Sequence, residues 1–404
     1  MTSEPIPAPL ADICVAGVGL TPVGEHWDRS LRELALEAIT AARLDAGGLR
    51  PHVLYVGNML APALSGQTHL GVLLADFAGL RGIEAASFEA AGASGGVALR
   101  QACLALAAGA VDSALVVGVE KITDRIGSSV NAALAGAADA DSEAVQGITA
   151  SAQAALLMRR YQHEYAVPPD GLAGFSLIAH ANAVASPHAF YRRALRPEDY
   201  ARAPKVSDPV NLYDAAPVAD GAAALLLTRS DRTPSGSPAP PVRILASSVA
   251  TMPLAIHDQD DPLGFVAAVQ STRRAYAQAG LQPEQVDLFE LHDLFSIYAA
   301  LALEAAGFAS RGQGWRLATS GAIARDGRIP ISTFGGSKAR GDCGGGTGVY
   351  QVAEVVLQLQ GRAGEAQVAG AQVGMAQCIG GAGSTVVTHI LARTEAPLSS
   401  PDSS

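Results

Sequence analysis

A chain of 404 residues with a net charge of -10 has room for two or three domains of ordinary size, and it lacks the clustered basic residues of a nucleic-acid-binding protein. Hydrophobic residues make up 49% and charged residues 16%, and the apolar content comes mainly from Ala, Val and Leu, which favours closely packed layers of helices on a sheet. Four cysteines lie scattered without metal-ligand or disulfide-framework spacing, so we expect reduced thiols, no metal site and a cytoplasmic location.

The amino-terminal segment does not resemble an export signal. Residues 1–10 contain an acid and three prolines, where a signal peptide needs a basic start and an apolar run. Further along, apolar stretches such as 102–119 are interrupted by Asp112, so none reaches the roughly 20 residues that a membrane span requires. We therefore predict neither export nor a membrane span.

Strand and helix patterns alternate through the first half of the chain. Apolar periodicity and glycine turns predict a strand over 13–24, a helix over 30–44, a turn over 88–96, a helix over 97–108 and a strand over 114–119. Gly109 is expected to end the second of these helices. This order is typical of an α/β protein.

The clearest linker is the segment 233–241, TPSGSPAPP, because its prolines and glycine cannot continue a helix or a central strand. We place a domain boundary there, which gives domains over 1–232 and 242–394 and leaves 395–404 as a disordered tail. Beyond the linker the order repeats, with a strand from Val242, a helix over 265–279 and a strand from Val286.

Both halves contain a glycine-rich turn that opens a helix. The sequences are GASGGVALRQA from Gly92 and GDCGGGTGVYQVAEVV from Gly341. This similarity suggests a duplication, in which each half is an alternating strand and helix unit around a mixed sheet.

Four segments place a glycine-rich or polar turn at the end of an apolar strand, where α/β proteins usually carry their sites. They are FEAAGASGG from Phe88, ELHDLFS from Glu290, GGSKARGDCGGGTG from Gly335 and GMAQCIGGAGS from Gly374. Taken singly, each is a weak indication, because such turns also serve packing.

Each candidate side chain in these segments also has a local structural interpretation. His292 can be a catalytic imidazole, or half of a helix N-terminal pair with Asp293 as the cap. Cys378 can be a reactive thiol or a small buried hydrophobic residue. Asp342 can be a base or a helix-capping carboxylate. Local sequence does not choose between these alternatives.

The order and spacing of the four segments resemble those of the thiolase superfamily, and most closely the branch with sterol-carrier-type and archaeal thiolases. A family motif similar to E-x-A-C-A-S-G is matched by 89–95 except at Gly92, and H-D-x-F is matched at 292–295. The motif G-G-x-K-A-x-G-H-P-x-G-A-T-G is matched by 335–348, where Asp342, Cys343 and Gly346 replace the histidine, proline and alanine. The similarity covers nearly the whole chain.

The resemblance implies a duplicated α/β/α/β/α layered fold with mixed five-stranded sheets, and it makes 1–232 and 242–394 the N- and C-terminal thiolase-like domains. It also implies acyl-CoA thioesters as substrates, with coenzyme A as the substrate carrier and no other cofactor. A homodimer, or a heterodimer with a thiolase homologue, is expected by analogy. A small zinc-ribbon and OB-fold protein is a further expected partner.

The resemblance also implies roles for individual residues. Gly92 occupies the position of the nucleophilic cysteine and has no side chain, so the acyl-enzyme cannot form there. His292 matches a residue that helps hold the thioester oxygen, Asp293 follows it in the same motif, and Cys378 matches an acid/base cysteine. Backbone N–H groups near Gly92 and Gly380 are expected to line a second oxyanion site.

Three hypotheses follow. The first is an enzyme that makes or breaks a carbon–carbon bond next to a thioester, with Cys378 or Asp342 moving the proton. It is either an acyltransferase with another nucleophile, such as Cys378 or Cys343, or a retro-aldol lyase that needs none. The second is a non-catalytic subunit paired with an active thiolase homologue. The third, an introduced change at Gly92 that traps a complex, leaves Asp342 unexplained.

Overall fold

A computed structural model describes residues 10–233 and 239–394. The helices are α1 (Leu31–Asp45), α2 (Leu70–Phe77), α3 (Ser94–Ala107), α4 (Gly127–Ala135), α5 (Ala150–Glu164), α6 (Ala173–Ala183), α7 (Pro197–Ala201), α8 (Val266–Ala279), α9 (Ser296–Ala305), α10 (Gly314–Thr319) and α11 (Thr347–Leu359). Among the described helices, none is long and apolar enough to cross a bilayer. The predicted tail 395–404 lies outside the described residues, as does 234–238 of the predicted linker.

The strands form one large mixed sheet and one small hairpin. They are β1 (Ile13–Leu20), β2 (Val53–Gly57), β3 (Glu84–Phe88), β4 (Ser113–Glu120), β5 (Lys205–Ser207), β6 (Val210–Asn211), β7 (Gly221–Arg229), β8 (Val242–Thr251), β9 (Leu288–Leu291), β10 (Val373–Gly380) and β11 (Thr385–Arg393). Nine strands follow the order β3-β2-β4-β7-β1-β8-β11-β10-β9, and β5 pairs with β6. Strand β1 joins the two halves, because it pairs with β7 along its length and with β8 through Cys14 and Val15.

Helices and strands stack in five layers. Helices α1 and α2 pack on the strands of the first half, and α8 packs on β8 and β11 of the second. Helices α3 and α11 contact strands of both halves, so they lie between the two parts of the sheet. Nearly all of α11 is buried, as a central layer requires.

Local signals explain where several elements begin and end. Ser30 caps α1 in a capping box with Glu33, which satisfies the first free N–H groups of the helix. Gly109 adopts a φ of 68° directly after the last turn of α3, as expected for a glycine that ends a helix. Strands β1 and β4 are almost fully buried, in keeping with their continuous apolar sequences.

The predicted α/β layered fold is confirmed, and one detail differs. The first half contributes the five strands β3, β2, β4, β7 and β1. The second half contributes the four strands β8, β11, β10 and β9, and the two sets form one continuous sheet. Beside β9, Ile331 makes only an isolated bridge to Phe289, because the segment before it runs through turns and pairs too briefly to form a fifth strand. The division into domains at the linker stays a prediction.

Candidate functional site

The four glycine-rich and polar segments meet at one cavity of about 200 Å³. Each contributes to its wall: Gly92 from the first segment, His292 from the second, Asp342 from the third and Ile379 from the fourth. The remaining wall is mostly apolar, with side chains such as Leu134, Val218, Leu294, Phe295 and Tyr298. Such an enclosed, largely apolar space with few polar groups is typical of a small-molecule site.

A tight turn carries Gly92 into this cavity just before α3. Ala91 has a φ of 50°, which is unusual for a residue with a side chain and indicates local strain. The turn is held by Ser94, whose hydroxyl accepts a hydrogen bond from Ala90 N–H (2.9 Å) and donates one to the Ala91 carbonyl (2.6 Å). The backbone of Gly92 is therefore positioned by a rigid, strained element.

The space beside Gly92 is closed. A Cβ atom added at this glycine would lie 2.6 Å from the Ile379 carbonyl oxygen and 2.9 Å from Cε1 of His292. A side chain at position 92 would therefore require movement of backbone as well as of the imidazole.

His292 is 1% exposed, and both of its ring nitrogens have protein partners. Ile379 N–H donates to Nδ1 at 3.1 Å, and Nε2 lies 3.2 Å from Oδ1 of Asp342. Because a backbone N–H can only donate, Nδ1 is the acceptor and the proton is on Nε2, which donates to the carboxylate. An oxyanion role for His292 therefore needs this proton to be shared with the substrate.

Asp342 keeps one carboxylate oxygen for a ligand. Its Oδ1 accepts hydrogen bonds from His292 and from the hydroxyl of Thr347 at 2.8 Å. Among the described residues none donates to Oδ2, although the side chain lines the cavity and the residue is only 4% exposed. Oδ2 is thus placed to accept a proton or hydrogen bond from a bound molecule.

Two of the predicted residues have mainly structural surroundings. Asp293 accepts hydrogen bonds from Ser337 N–H (2.6 Å) and the Ser332 hydroxyl (3.2 Å), and it does not line the cavity. Burial raises the pKa of this carboxyl, against the lowering effect of nearby Lys338. Gly380 packs against the Ala90 carbonyl and does not line the cavity, whereas its neighbours Ile379 and Gly381 do.

Cys378 is buried beside the site but does not line it. Its Sγ packs where α3 and α11 cross, so that a Cβ at Gly96 or Gly348 would lie 2.2 or 3.0 Å from it. Burial raises the pKa of the Cys378 thiol to about 12, and it also raises that of Cys343 well above its usual range. Neither thiol lines the cavity that contains His292 and Asp342.

Glu120 was not singled out from the sequence, although it lies in the run GVEK at the end of β4. It is fully buried and accepts hydrogen bonds from Met59 N–H (2.6 Å), Gly345 N–H (3.1 Å) and the Asn58 side chain (2.9 Å). These bonds tie the loop after β2 to the turn that carries Asp342. A carboxylate directly after an apolar strand was the signal that could have found it.

A larger cavity of about 730 Å³ adjoins the first one, and Val206, Ala215 and Ala216 line both. Its wall contains basic groups, Arg193, Arg196 and Lys338, next to aromatic ones. Lys338 is 2% exposed and donates to the Asp214 carbonyl at 2.6 Å. Burial lowers its pKa to about 8.

Within residues 10–233 and 239–394, no three His, Cys, Asp or Glu side chains are grouped so that they could hold a metal ion. That no cofactor is needed stays a prediction.

Comparison with known proteins agrees with this fold. The thiolase N-terminal domain model matches residues 13–231, and the thiolase C-terminal domain-like model matches 248–393. The chain is 42% identical to an acetyl-CoA acetyltransferase of Methanothermobacter thermautotrophicus over 386 residues, which cover 95% of this chain and 100% of that protein. It is 28% identical to a steroid side-chain-cleaving aldolase of Thermomonospora curvata, over 85% of this chain and 89% of that protein.

Solved structures share the fold at lower identity. The Ltp2-ChsH2(DUF35) aldolase superposes with a TM-score of 0.81 at 23% identity, over 95% of this chain and 98% of that chain. Human mitochondrial 3-ketoacyl-CoA thiolase gives a TM-score of 0.72 at 19% identity, with the same two coverages. By the two domain matches and the full-length similarity, the chain belongs to the thiolase family.

Proposed function

We propose that this protein acts on acyl-CoA thioesters and makes or breaks the carbon–carbon bond next to the thioester by aldol chemistry, without an acyl-cysteine. The observation that carries the proposal is the pair of His292 and Asp342 in an enclosed cavity that also contains Gly92. Among the described residues, those that line this cavity include an acid–base pair and no cysteine. This arrangement suits a reaction in which the substrate never becomes attached to the protein.

In the cleavage direction the substrate is a 3-hydroxyacyl thioester. Oδ2 of Asp342 accepts the proton of the 3-hydroxyl group as the bond between the second and third carbons breaks. The electron pair of that bond moves toward the thioester carbonyl and gives an enolate, while the third carbon becomes an aldehyde or ketone. Oδ2 of Asp342 then returns the proton to the enolate carbon, which completes the reaction and restores the carboxylate; synthesis is the reverse.

Developing charge on the thioester oxygen needs hydrogen-bond donors. The Nε2 proton of His292 and backbone N–H groups near Gly92 and Gly380 are the groups proposed to supply them. His292 also orients Asp342, because the two side chains share one hydrogen bond. Thr347 donates the second hydrogen bond that holds the carboxylate.

The similarity to a steroid side-chain-cleaving aldolase supports the aldol proposal. The higher similarity to an acetyl-CoA acetyltransferase supports a second candidate, an acyltransferase. That route needs a nucleophile other than Gly92, and Cys378 and Cys343 are the sequence candidates. Their buried thiols and raised pKa values disfavour them, because the thiolate is the reactive form.

We further propose that the larger cavity takes the coenzyme A part of the substrate. It adjoins the catalytic cavity, and Arg193 provides positive charge that phosphate groups need, while Arg196 on the same wall is paired with Asp199 at 2.8 Å. A thioester that spans the shared wall at Ala215 and Ala216 would present its acyl part to Asp342.

Partner proteins are also proposed. The name of the Ltp2-ChsH2(DUF35) aldolase includes a second component, which supports a small zinc-ribbon and OB-fold partner for this chain. Strand β3 is a sheet edge with exposed residues such as Glu84, which supports a dimer, either with a second copy or with a thiolase homologue. A cytoplasmic location is proposed on composition alone.

The test combines product analysis with intact-protein mass spectrometry. The chain, alone and with candidate partner proteins, is incubated with 3-hydroxyacyl-CoA and 3-ketoacyl-CoA esters of increasing length. We expect cleavage of a 3-hydroxyacyl-CoA to a shorter acyl-CoA and a free aldehyde or ketone, with no acyl adduct on the protein.

The other outcomes assign the competing functions. An acyl adduct that disappears in Cys378→Ala would establish an acyltransferase with a relocated nucleophile. Neither product nor adduct, with partners present, would favour a non-catalytic subunit that shapes the site of a thiolase homologue.

A further inference from the structure

Tyr298 has a buried hydroxyl that the rest of the protein does not use. The residue is 2% exposed and lines the catalytic cavity from α9. Among the described residues none forms a hydrogen bond with its hydroxyl, yet the oxygen is not one of the fully enclosed unpartnered atoms. The small exposed part of the side chain therefore includes the hydroxyl, which opens onto the cavity.

Apart from His292 and Asp342, the polar side chains on the cavity wall are already engaged or lie at its rim. Thr149 and Ser151 bond to each other at 2.9 Å, and Gln153 donates to Glu143 at 3.1 Å. Asn131 is exposed. A buried hydroxyl without a partner is costly, so the position is explained if a ligand supplies the missing acceptor.

Two aromatic neighbours fix the direction of the Tyr298 ring. Phe265 stacks on it with the ring centroids 6.0 Å apart and the planes inclined by 21°, and Phe295 meets it edge to face at 5.6 Å. The ring therefore has little freedom to turn its hydroxyl elsewhere. Burial, and to a smaller degree the charge of Glu143, raises the pKa of the phenol, so it remains a hydrogen-bond donor at any physiological pH.

We propose that Tyr298 is a specificity-determining residue whose hydroxyl donates a hydrogen bond to the oxygen on the third carbon of the acyl group. This inference rests on the proposed function. Asp342 and Tyr298 line the same cavity of about 200 Å³, so an acyl group of a few carbons held there can contact both. A 3-hydroxyl can then donate to Oδ2 of Asp342 while it accepts from Tyr298.

This placement selects a class of substrate. An acyl chain without an oxygen on its third carbon leaves the phenol unpartnered in a closed, apolar space, whereas a 3-hydroxy or 3-oxo group satisfies it. The donor also stays useful through the reaction, because the oxygen that it contacts is a hydroxyl before cleavage and a carbonyl afterwards. Saturated acyl-CoA esters of the same length are therefore disfavoured ligands.

The experiment measures equilibrium binding, which does not depend on turnover. Dissociation constants of 3-hydroxybutanoyl-CoA and butanoyl-CoA are compared for the wild-type full-length chain and for Tyr298→Phe, which keeps the ring and its aromatic contacts. We expect the wild type to prefer the hydroxylated ester, and the substitution to reduce that preference about tenfold, mostly by weakening the hydroxylated ligand. Tyr276→Phe, on the neighbouring helix α8 and outside the cavity, is the matched control and should leave the preference unchanged.

An unchanged preference in Tyr298→Phe overturns the inference, as does a wild type that binds the two esters equally or binds neither. In those cases the hydroxyl serves an internal water or the fold. A failure of the proposed function can be told apart from a failure of this inference. A chain that cleaves nothing can still prefer the hydroxylated ester and lose that preference in Tyr298→Phe. If Tyr298→Phe melts below the wild type, the two dissociation constants are measured below its melting temperature, because their ratio in the folded protein is what decides the outcome.

Discussion

The glycine-rich turns before α3 and α11 resemble each other in sequence, but only the second presents an ionisable side chain to the cavity. The turn before α3 presents Gly92, which offers backbone alone, and the turn before α11 presents Asp342, which His292 and Thr347 hold. The two helices touch so closely that a Cβ at Gly348 would lie 2.7 Å from the Gly96 nitrogen. In a duplicated scaffold, chemistry can therefore concentrate in one copy while the other keeps the shape of the site.

Removal of the carboxylate from the second turn should have the largest effect. Asp342→Asn retains an oxygen that can accept the hydrogen bonds from His292 and Thr347, but it loses the base. We expect cleavage of 3-hydroxyacyl-CoA to fall by at least about 100-fold, with little change in melting temperature. The control is Asp76→Asn, which changes an exposed aspartate on α2 that lines neither cavity and should leave the cleavage rate unchanged. Retained activity in Asp342→Asn would remove Asp342 from the mechanism.

A side chain placed on the first turn should destabilise it rather than restore a nucleophile. In Gly92→Cys the new Cβ meets the Ile379 carbonyl and the His292 ring, so we expect a loss of about 1–3 kcal/mol in the free energy of unfolding. Denaturant unfolding measures the loss, and mass spectrometry should detect no acyl adduct.

Gly127→Ala provides the matched control for that substitution. A Cβ at Gly127 has no neighbour within 4 Å, and the residue lies in the first turn of α4, so stability should be unchanged or slightly raised. If Gly92→Cys were as stable as the wild type and became acylated, the first turn would have kept its catalytic geometry and the contrast between the turns would fail.

A smaller effect is expected when the hydrogen bond behind Asp342 is removed. Thr347→Val keeps the shape of the side chain but removes the hydroxyl that donates to Oδ1 and accepts from Cys343 N–H. We expect kcat to fall about tenfold, which corresponds to roughly the net value of one hydrogen bond to a charged group. KM should change little, since Thr347 lines neither cavity. Equal losses in Thr319→Val, an exposed threonine on α10, would point to a non-specific effect.

We expect one buried histidine of the second half, His389, to make the stability of the protein depend on pH. His389 in β11 is fully buried, and neither of its ring nitrogens forms a hydrogen bond within residues 10–233 and 239–394, whereas His292 has two partners. Burial lowers the pKa of His389 to about 3, so the unfolded chain binds the extra proton first and stability falls as the pH drops from about 6.5 toward 3.

Between pH 7 and 5.5, proton binding by His389 in the unfolded chain lowers the free energy of unfolding by about 1 kcal/mol. His389→Leu should remove that loss, which chemical denaturation at the two pH values measures. His163→Leu, at an exposed position on α5, should leave the loss in place. A wild type and His389→Leu with equal pH dependence would contradict the prediction.

The sequence predicted the parts of this molecule that depend on neighbours in the chain. Apolar periodicity located β1, α1, β4 and α8 to within a few residues, and Gly109 ended α3 as expected. Three of the four segments lie at the ends of strands, β3, β9 and β10, where the carboxyl ends of strands converge, whereas the segment from Gly335 follows turns; all four meet at one cavity.

Contacts between distant residues were beyond the reach of these patterns. The crowding at Gly92, the tautomer of His292 and the free hydroxyl of Tyr298 each depend on side chains from other segments. The sequence around Tyr298 predicts an ordinary buried position of α9, since nothing local indicates that its hydroxyl opens onto a cavity. The position of Cys378 behind the cavity wall was likewise not visible in its motif.

The central place of β1 in the sheet affects how the chain folds as it is made. Ile13 pairs with Arg229, so β1 has no β7 partner until more than 200 residues have followed it from the ribosome. At ordinary rates of synthesis that delay is roughly 10–40 s. During it an apolar strand is exposed, and we expect nascent chains to depend on chaperones that shield such strands until β7 emerges.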